Sequence, residues 1–249
     1  VPENVIAFTV SGLRQKYLRR SLASWGRARG VQGWHLLFCV EPAPRVFPVA
    51  EFAQWAHRCF ASAEVAVNDR RLGCLANTRN ALARAFGSGA GFAVIAEEDC
   101  EVADDVLEYF CWARDAYAGD RTVVTACAHA LRAERGEAHQ AVRARWFNPV
   151  IWGTWPDRWR DVIAPGWGTI EGWPEAWDTN LRRICARRGL DSIFPVRSRA
   201  LHIGETSTLT PGQLAEYYYR QALSSSFSPA YPPGKYEEVP FTEDLGLLV

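Results

Sequence analysis

The sequence predicts an α/β fold: an open, mainly parallel sheet with helices on both faces. Three observations lead there. Apolar, β-branched runs alternate with stretches of helical apolar spacing through the first hundred residues, the pattern of strands joined by crossover helices. Three of the strand-like runs stop abruptly at turn-forming or charged residues, Ser11-Gly12, Glu41-Pro42 and the acids at 97–99. The chain has 249 residues, 48% of them hydrophobic and 22% charged, enough for one large α/β domain or two small ones with a full core.

Taken in order, "VIAFTV" (5–10) reads as a buried strand running into a turn, and residues 13–25 place Leu13, Tyr17, Leu18, Leu22 and Trp25 at helical spacing. "WHLLFCV" (34–40) is a second strand, halted by Pro42 and Pro44, since proline cannot donate to a ladder. "AEVAV" (63–67) is a third. Residues 73–89 form a helix with Leu75, Leu82 and Phe86 inward and a glycine-rich stop. Residues 92–96 make a fourth strand and 104–117 a helix capped by Asp104 or Asp105. In the second half, 122–128 and 144–155 read as strands, the latter interrupted at Asn148-Pro149. Tryptophans at 146, 152, 155, 159, 167, 173 and 177 are spaced by proline and glycine, which implies loops. Residues 174–189 form a helix with early acids and late arginines, and 192–196 a short strand. Beyond Ser224 the serine- and proline-rich tail is expected to be extended or to wrap. Residues 1–120 and 121–249 are expected to form two halves of one domain.

Composition narrows the function. Net charge is zero, so the chain as a whole offers no field to attract nucleic acid, although Arg182, Arg183, Arg187 and Arg188 form a local patch. Seven cysteines are an odd number without a CxxC spacing, which disfavours zinc and implies buried, reduced thiols and a cytoplasmic setting. No apolar run reaches the ~18 residues that span a bilayer, and no signal-peptide pattern opens the sequence. The sequence does not begin with methionine, which leaves room for a targeting segment upstream.

The strand 92–96 drives directly into Glu97, Glu98 and Asp99. Clustered carboxylates next to a core need a partner. An arginine or a helix cap would meet that need structurally. A hard divalent cation would meet it functionally, since Mg²⁺ or Mn²⁺ takes one or two carboxylates together with substrate phosphate oxygens. In an open α/β sheet, ligands gather beyond the carboxyl ends of the strands, where Ser11, Glu41 and these acids all fall.

"VIAEEDCEVADDVLEYF" (94–110) resembles the metal-binding segment of the N-acetylglucosaminyltransferase I family, GT-A-fold enzymes with a Rossmann-like sheet that use nucleotide sugars. A second segment, 177–218, is similar to the family's Trp-Asp-Asp-Trp-Met-Arg helix, Pro-x-x-Ser-Arg strand, glycine and closing Gly-Gln-Phe helix. With a similar first strand and helix, the likeness covers about two-thirds of the chain. It implies a metal-dependent glycosyltransferase, with Mn²⁺ or Mg²⁺ and a nucleotide-sugar donor of the UDP type, moving a sugar to an acceptor hydroxyl with inversion. By the same likeness residues 1–120 are the nucleotide-sugar-binding half and 121–249 the acceptor-binding and catalytic-base half.

By this resemblance Asp99 is the metal ligand, Glu97 and Glu98 shape the site, and Asp178 is the general base. Glu98 stands where the family has aspartate, and Thr179 where it has a second one. Thr9, Arg14, Glu41, Asn77 and Arg79 are implied on the nucleotide side, with Asn80 on the same helix. His202 is drawn from the wider group of GT-A enzymes as a second metal ligand; the other reading is an imidazole satisfied locally. The tryptophan-rich stretch would floor the acceptor or sugar site, against the alternative that its rings are core. The acceptor class stays open among glycan, protein, small molecule and modified nucleobase. Two rivals remain: a binding module without turnover, and a sugar-nucleotide-forming nucleotidyltransferase. The latter calls for a glycine-rich basic phosphate loop that "TVSGLRQK" (9–16) does not supply.

Overall fold

Strand β1 (Asn4–Val10) is the centre of a parallel unit, flanked by β2 (His35–Val40) on one side and β4 (Phe92–Glu97) on the other, with β3 (Ala63–Val67) beyond β2. The computed structural model describes residues 2–43, 47–130, 136–168, 177–204 and 226–240, Trp177 by its backbone alone. Helices α1 (Gln15–Trp25), α2 (Val49–Cys59) and α3 (Gly73–Gly87) make the crossovers. These strands are apolar on both sides because helices cover both faces. Ile6, Phe8 and Val10 face a core closed by α1, α2 and α4 (Val106–Ala116). Val5 and Ala7 face a second core closed by α3, by α6 (Trp177–Arg188) and by a short helix α5 (Pro156–Arg158) that continues as a π-turn over Trp159–Ile163.

The second half extends the same sheet. β6 (Val123–Cys127), β7 (Gln140–Ala144), β8 (Trp152–Thr154), β9 (Asp191–Pro195) and the two-residue β11 (Glu237–Glu238) complete the order β11-β7-β9-β6-β8-β4-β1-β2-β3. β8 inserts antiparallel between β4 and β6, so those two strands point the same way. A separate two-stranded sheet pairs β5 (Cys100–Val102) with β10 (Ala200–His202).

Several expectations change. Residues 144–155 are not one interrupted strand: β7 stops at Ala144, an irregular segment carries Asn148-Pro149, and only Trp152–Thr154 rejoin the sheet. β5, β10 and α2 were not foreseen. Two of them are only three residues long, too short for periodicity to reveal. The cap expected from Asp104 or Asp105 is also different. Asp105 occupies the N-cap of α4 without a side-chain cap bond, because its carboxylate is committed to Arg199, 2.9 Å away. The tryptophans split by burial. Trp152, Trp155 and Trp159 are core, with Trp155 edge-on to Phe92 and Trp159 stacked on Phe86. Among the described ones only Trp146 is largely exposed, and it lies under the Arg182 guanidinium. Trp173, and the closing helix of the resemblance, lie outside the described residues. The described tail, 226–240, wraps as expected, burying Tyr231 and Tyr236.

Candidate functional site

β1, β2 and β4 run parallel, so Ser11, Glu41 and the acids reach one edge of the sheet. The turn after β1 depends on Gly12, which has φ 72 and lies so close to the next loop that a Cβ would stand 3.0 Å from the Ala43 Cβ. That turn delivers Arg14 to the N-cap of α1. Glu98 and Asp99 form the turn between β4 and β5. Glu98 reaches back to the first loop, where it accepts hydrogen bonds from the Ser11 amide at 2.9 Å and from the Ser11 hydroxyl. The longer side chain, the departure from the family's aspartate, thus ties the β1–α1 turn to the acid turn.

Asp99 is nearly buried, and one of its oxygens, Oδ2, meets two side-chain nitrogens: Arg14 Nη2 at 2.6 Å and His202 Nε2 at 3.2 Å. His202 arrives from more than a hundred residues away through the β10–β5 ladder, which sets it opposite Cys100 and lets the Ile203 amide donate to the Asp99 carbonyl at 2.8 Å. Burial pushes the Asp99 carboxyl up, but the bond and charge of His202, with Arg14, hold it below its ordinary value. Burial pulls the His202 imidazole down, and Asp99 outweighs that, so its pKa is raised. Glu97 ends β4 and is pushed up to about 7, by burial first and then by the Asp99 charge. Glu98 is also raised, chiefly by burial, with Ser11 acting against it.

The residues present suit a divalent cation. Donor atoms of Glu97, Asp99 and Cys100 lie within 4.8 Å of one another. The Cys100 thiol is held protonated by burial, so the usable set is two carboxylates and the His202 imidazole, oxygen and nitrogen donors of the kind Mn²⁺ accepts. Gly204 packs directly against this group, where only a residue without a Cβ fits. A Cβ there would lie 2.5 Å from Asp99 Oδ2, 2.6 Å from Arg14 Nη2 and 2.9 Å from His202 Cε1. The structural alternative posed by the sequence is present too, since an arginine does lie on Asp99.

The other candidate residues separate. Thr9 stands beside Glu97 in the β1–β4 ladder. Glu41 spends both carboxylate oxygens on the Leu72 and Gly73 amides, at 2.8 and 2.9 Å. It therefore caps α3 from another strand, a task that α3's own N-cap residue, Leu72, does not perform. Asn77 is buried; its amide donates to the Cys39 carbonyl at 3.1 Å and its carbonyl accepts from Asn68 at 2.9 Å, while Asn80 donates to Asn68 at 3.0 Å. Arg79, two residues on and so about 200° around the helix, is exposed and is not brought to this network.

Asp178 opens α6, which leads into β9; β9 runs parallel to β6 and hence to β4. The N-terminal end of α6 is therefore on the same sheet edge as Asp99. Arg182 lies 3.5 Å from Asp178, one turn on.

Ser11 as the anchor of Glu98, Asn68, and Gly204 as the close backbone contact of Asp99 were not foreseen. A polar residue just past a strand was the signal available for Ser11 and Asn68. Gly204 shows no signal until His202 is placed.

No family model matches the chain, and no curated protein matches it by sequence. Solved structures match by shape. A mannosyltransferase of Pyrobaculum calidifontis, described in complex with GDP-Man and Mn²⁺, superposes with a TM-score of 0.60 at 13% identity, over 90% of this chain and 63% of that one. S. aureus TarS 1–349, in complex with UDP-GlcNAc, gives 0.57 at 9% over 91% and 68%. GalNAc-T7 with UDP, GalNAc and Mn²⁺ gives 0.54 at 14% over 87% and 47%. This chain thus spans under two-thirds of the first of them. The likeness carries the fold and does not single out the N-acetylglucosaminyltransferase I family. Among the described residues no helix is long and apolar enough to cross a membrane. By sheet order, helix placement and these superpositions, the chain has the GT-A fold found in glycosyltransferases.

Proposed function

We propose that the chain is a metal-dependent glycosyltransferase that moves a sugar from a nucleotide sugar, of the UDP type, to an acceptor hydroxyl with inversion. The observation that carries this reading is Asp99: a nearly buried carboxylate at the tip of β4, joined by His202 and Glu97. A divalent cation held by Asp99, His202 and Glu97 would supply positive charge to the departing nucleoside diphosphate. Arg14, on the same edge, offers a planar donor fork suited to phosphate oxygens. Glu98 and Ser11 keep the two loops in register. Asp178 accepts the proton of the acceptor hydroxyl as that oxygen attacks the anomeric carbon from the face opposite the leaving diphosphate. The resemblance to N-acetylglucosaminyltransferase I supports Asp178 as the base and UDP as the nucleotide.

The test is a screen of nucleotide sugars with Mn²⁺, reading released nucleoside diphosphate with and without candidate acceptor alcohols. Metal-dependent release from one donor supports the proposal; none from any donor, with intact fold, overturns it. Asp178→Asn should retain donor binding and lose transfer by at least ~100-fold, and transfer at the parental rate would remove Asp178 as base. The Arg14–Asp99 pair favours a second reading, a donor-binding module without turnover. Nucleotide-sugar binding that lacks any hydrolysis or transfer would select it.

A further inference from the structure

We infer that His129 binds the acceptor: its Nε2 accepts a hydrogen bond from an acceptor hydroxyl and so orients that molecule at the sheet edge. The inference rests on the transferase reading of the Asp99 edge and extends it to the acceptor side.

His129 follows β6, which runs parallel to β4, so it stands on the same edge of the sheet as Asp99. The alternation along the strand gives its side. Ala126 and Ala128 face the first core, while Cys127 faces the second, together with Leu181 and Cys185 of α6. Continuing that alternation, His129 falls on the side of α6, whose first turn carries Asp178. Both of its neighbours are pinned. The Ala128 amide donates to the Ile151 carbonyl at 2.8 Å and the Arg199 amide donates to the Ala128 carbonyl at 2.7 Å. The Ala130 amide donates to Ser198 Oγ at 3.2 Å.

The ring turns one nitrogen back to the chain and leaves the other outward. Nδ1 lies 2.8 Å from the Ala130 carbonyl oxygen. A carbonyl only accepts, so Nδ1 carries the hydrogen, and in the neutral ring Nε2 is the nitrogen with the lone pair. The Asn148 amide, 3.5 Å away, also meets Nδ1. Among the described residues no group bonds Nε2, and the residue is half-buried. Burial pulls the pKa of the ring down, the Ala130 bond acts the other way, and the His202 charge adds to the lowering. The neutral form with its outward lone pair is thus the favoured one.

That lone pair selects the chemistry of its ligand. A hydroxyl donates to it, whereas a carboxylate or phosphate oxygen would meet it lone pair to lone pair. The group read by His129 is therefore a neutral hydroxyl of the acceptor. His129 moves no proton in this scheme; Asp178 keeps that task.

The experiment compares the full-length parent chain with His129→Gln, His129→Asn and His129→Ala. Methyl glycosides, serine peptides and nucleosides are the acceptor probes, used with the donor found in the nucleotide-sugar screen. Glutamine can place an amide oxygen near the position of Nε2, whereas asparagine can replace only Nδ1 and its bond to Ala130. His129→Asn and His129→Ala are expected to raise the acceptor KM at least ~tenfold, with His129→Gln closer to the parent. Mn²⁺-dependent UDP binding should persist in all three, which shows that they fold. The reverse order, rescue by asparagine and none by glutamine, would make His129 structural and overturn the inference. An unchanged acceptor KM in every variant would do the same, as would diphosphate release that no probe accelerates. A second readout needs no acceptor. Diethyl pyrocarbonate attacks an unprotonated, accessible imidazole nitrogen, so peptide mass mapping at pH 7 should find His129 modified alongside the exposed His57. Modification of His57 alone would show Nε2 closed to ligands and sink the proposal. If the parent releases diphosphate from no donor, the transferase reading fails and this inference with it.

Discussion

Two arginine–aspartate pairs flank the segment that leads into α4, and they differ in exposure and in what shares the carboxylate. Arg199 and Asp105 lie 2.9 Å apart, both with fully buried side chains. Arg199 also donates to the Tyr236 hydroxyl and to the carbonyls of Arg197 and Ala138, and it lies 3.7 Å from the Tyr231 ring centre. Asp105 in turn accepts from the Tyr236 hydroxyl at 2.6 Å. This pair closes the C-terminal tail onto the sheet, and every approach to it is occupied by protein. Arg14 and Asp99 are as close, yet Arg14 is partly exposed, a histidine shares the carboxylate oxygen, and Gly204 packs directly against the group. A saturated, enclosed ion pair is a structural clasp. A partly exposed ion pair whose carboxylate oxygen also faces a histidine is the candidate site.

The comparison is most readily broken at the clasp. Arg199→Met leaves Asp105 buried without its counter-charge and is expected to cost about 3–5 kcal/mol in urea unfolding. Arg14→Gln should cost less than ~2 kcal/mol, because its site admits water and His202 still faces Asp99. Equal losses would erase the distinction between clasp and site. Next in size, Asp99→Ala should weaken Mn²⁺-dependent nucleotide binding at least ~100-fold, or ~2.7 kcal/mol, while circular dichroism shows the fold retained. Persistence of metal-dependent binding would move the site elsewhere.

Smaller is Glu41→Ala, which removes the acceptor for two amides at the start of α3; a loss of about 1–2 kcal/mol is expected from the cost of removing a helix cap. Nucleotide affinity should change with it only if the loop before α3 shapes the donor site.

The last is a pH slope. Glu97 titrates near 7 in the folded metal-free protein, raised by burial and by Asp99 from an ordinary 4.5. Between those values the folded state binds more protons than the unfolded one, so this contribution is full below pH 4.5 and is lost as pH rises through about 7. His202, also raised, works in the same direction above its ordinary 6.5. Asp99, lowered, contributes stability above 3.8 that is lost only as pH falls through its folded value. Glu97→Gln should therefore flatten the fall in melting temperature between pH 5 and 7, and an unchanged slope would mean Glu97 is ionised throughout.

Hydrophobic patterning alone determined the parallel half of the fold. Strands β1 to β4 and helices α1 and α3 are legible because buried strands and amphipathic helices leave periodic traces in local sequence. The acids at 97–99 were legible as a candidate site for the same reason, since charge at the end of an apolar run stands out. What only the tertiary structure decided is which charges meet. Arg14, Asp99, His202 and Gly204 are brought together by a parallel ladder and by a three-residue antiparallel pairing between β5 and β10, and pairing between distant short strands has no periodic signature. Likewise Glu41 became a cap and Asp105 half of a clasp through partners 31 and 94 residues away. Local sequence sets which residues are buried or carry charge; chain topology sets their neighbours, and neighbours decide whether a carboxylate holds structure or binds a ligand.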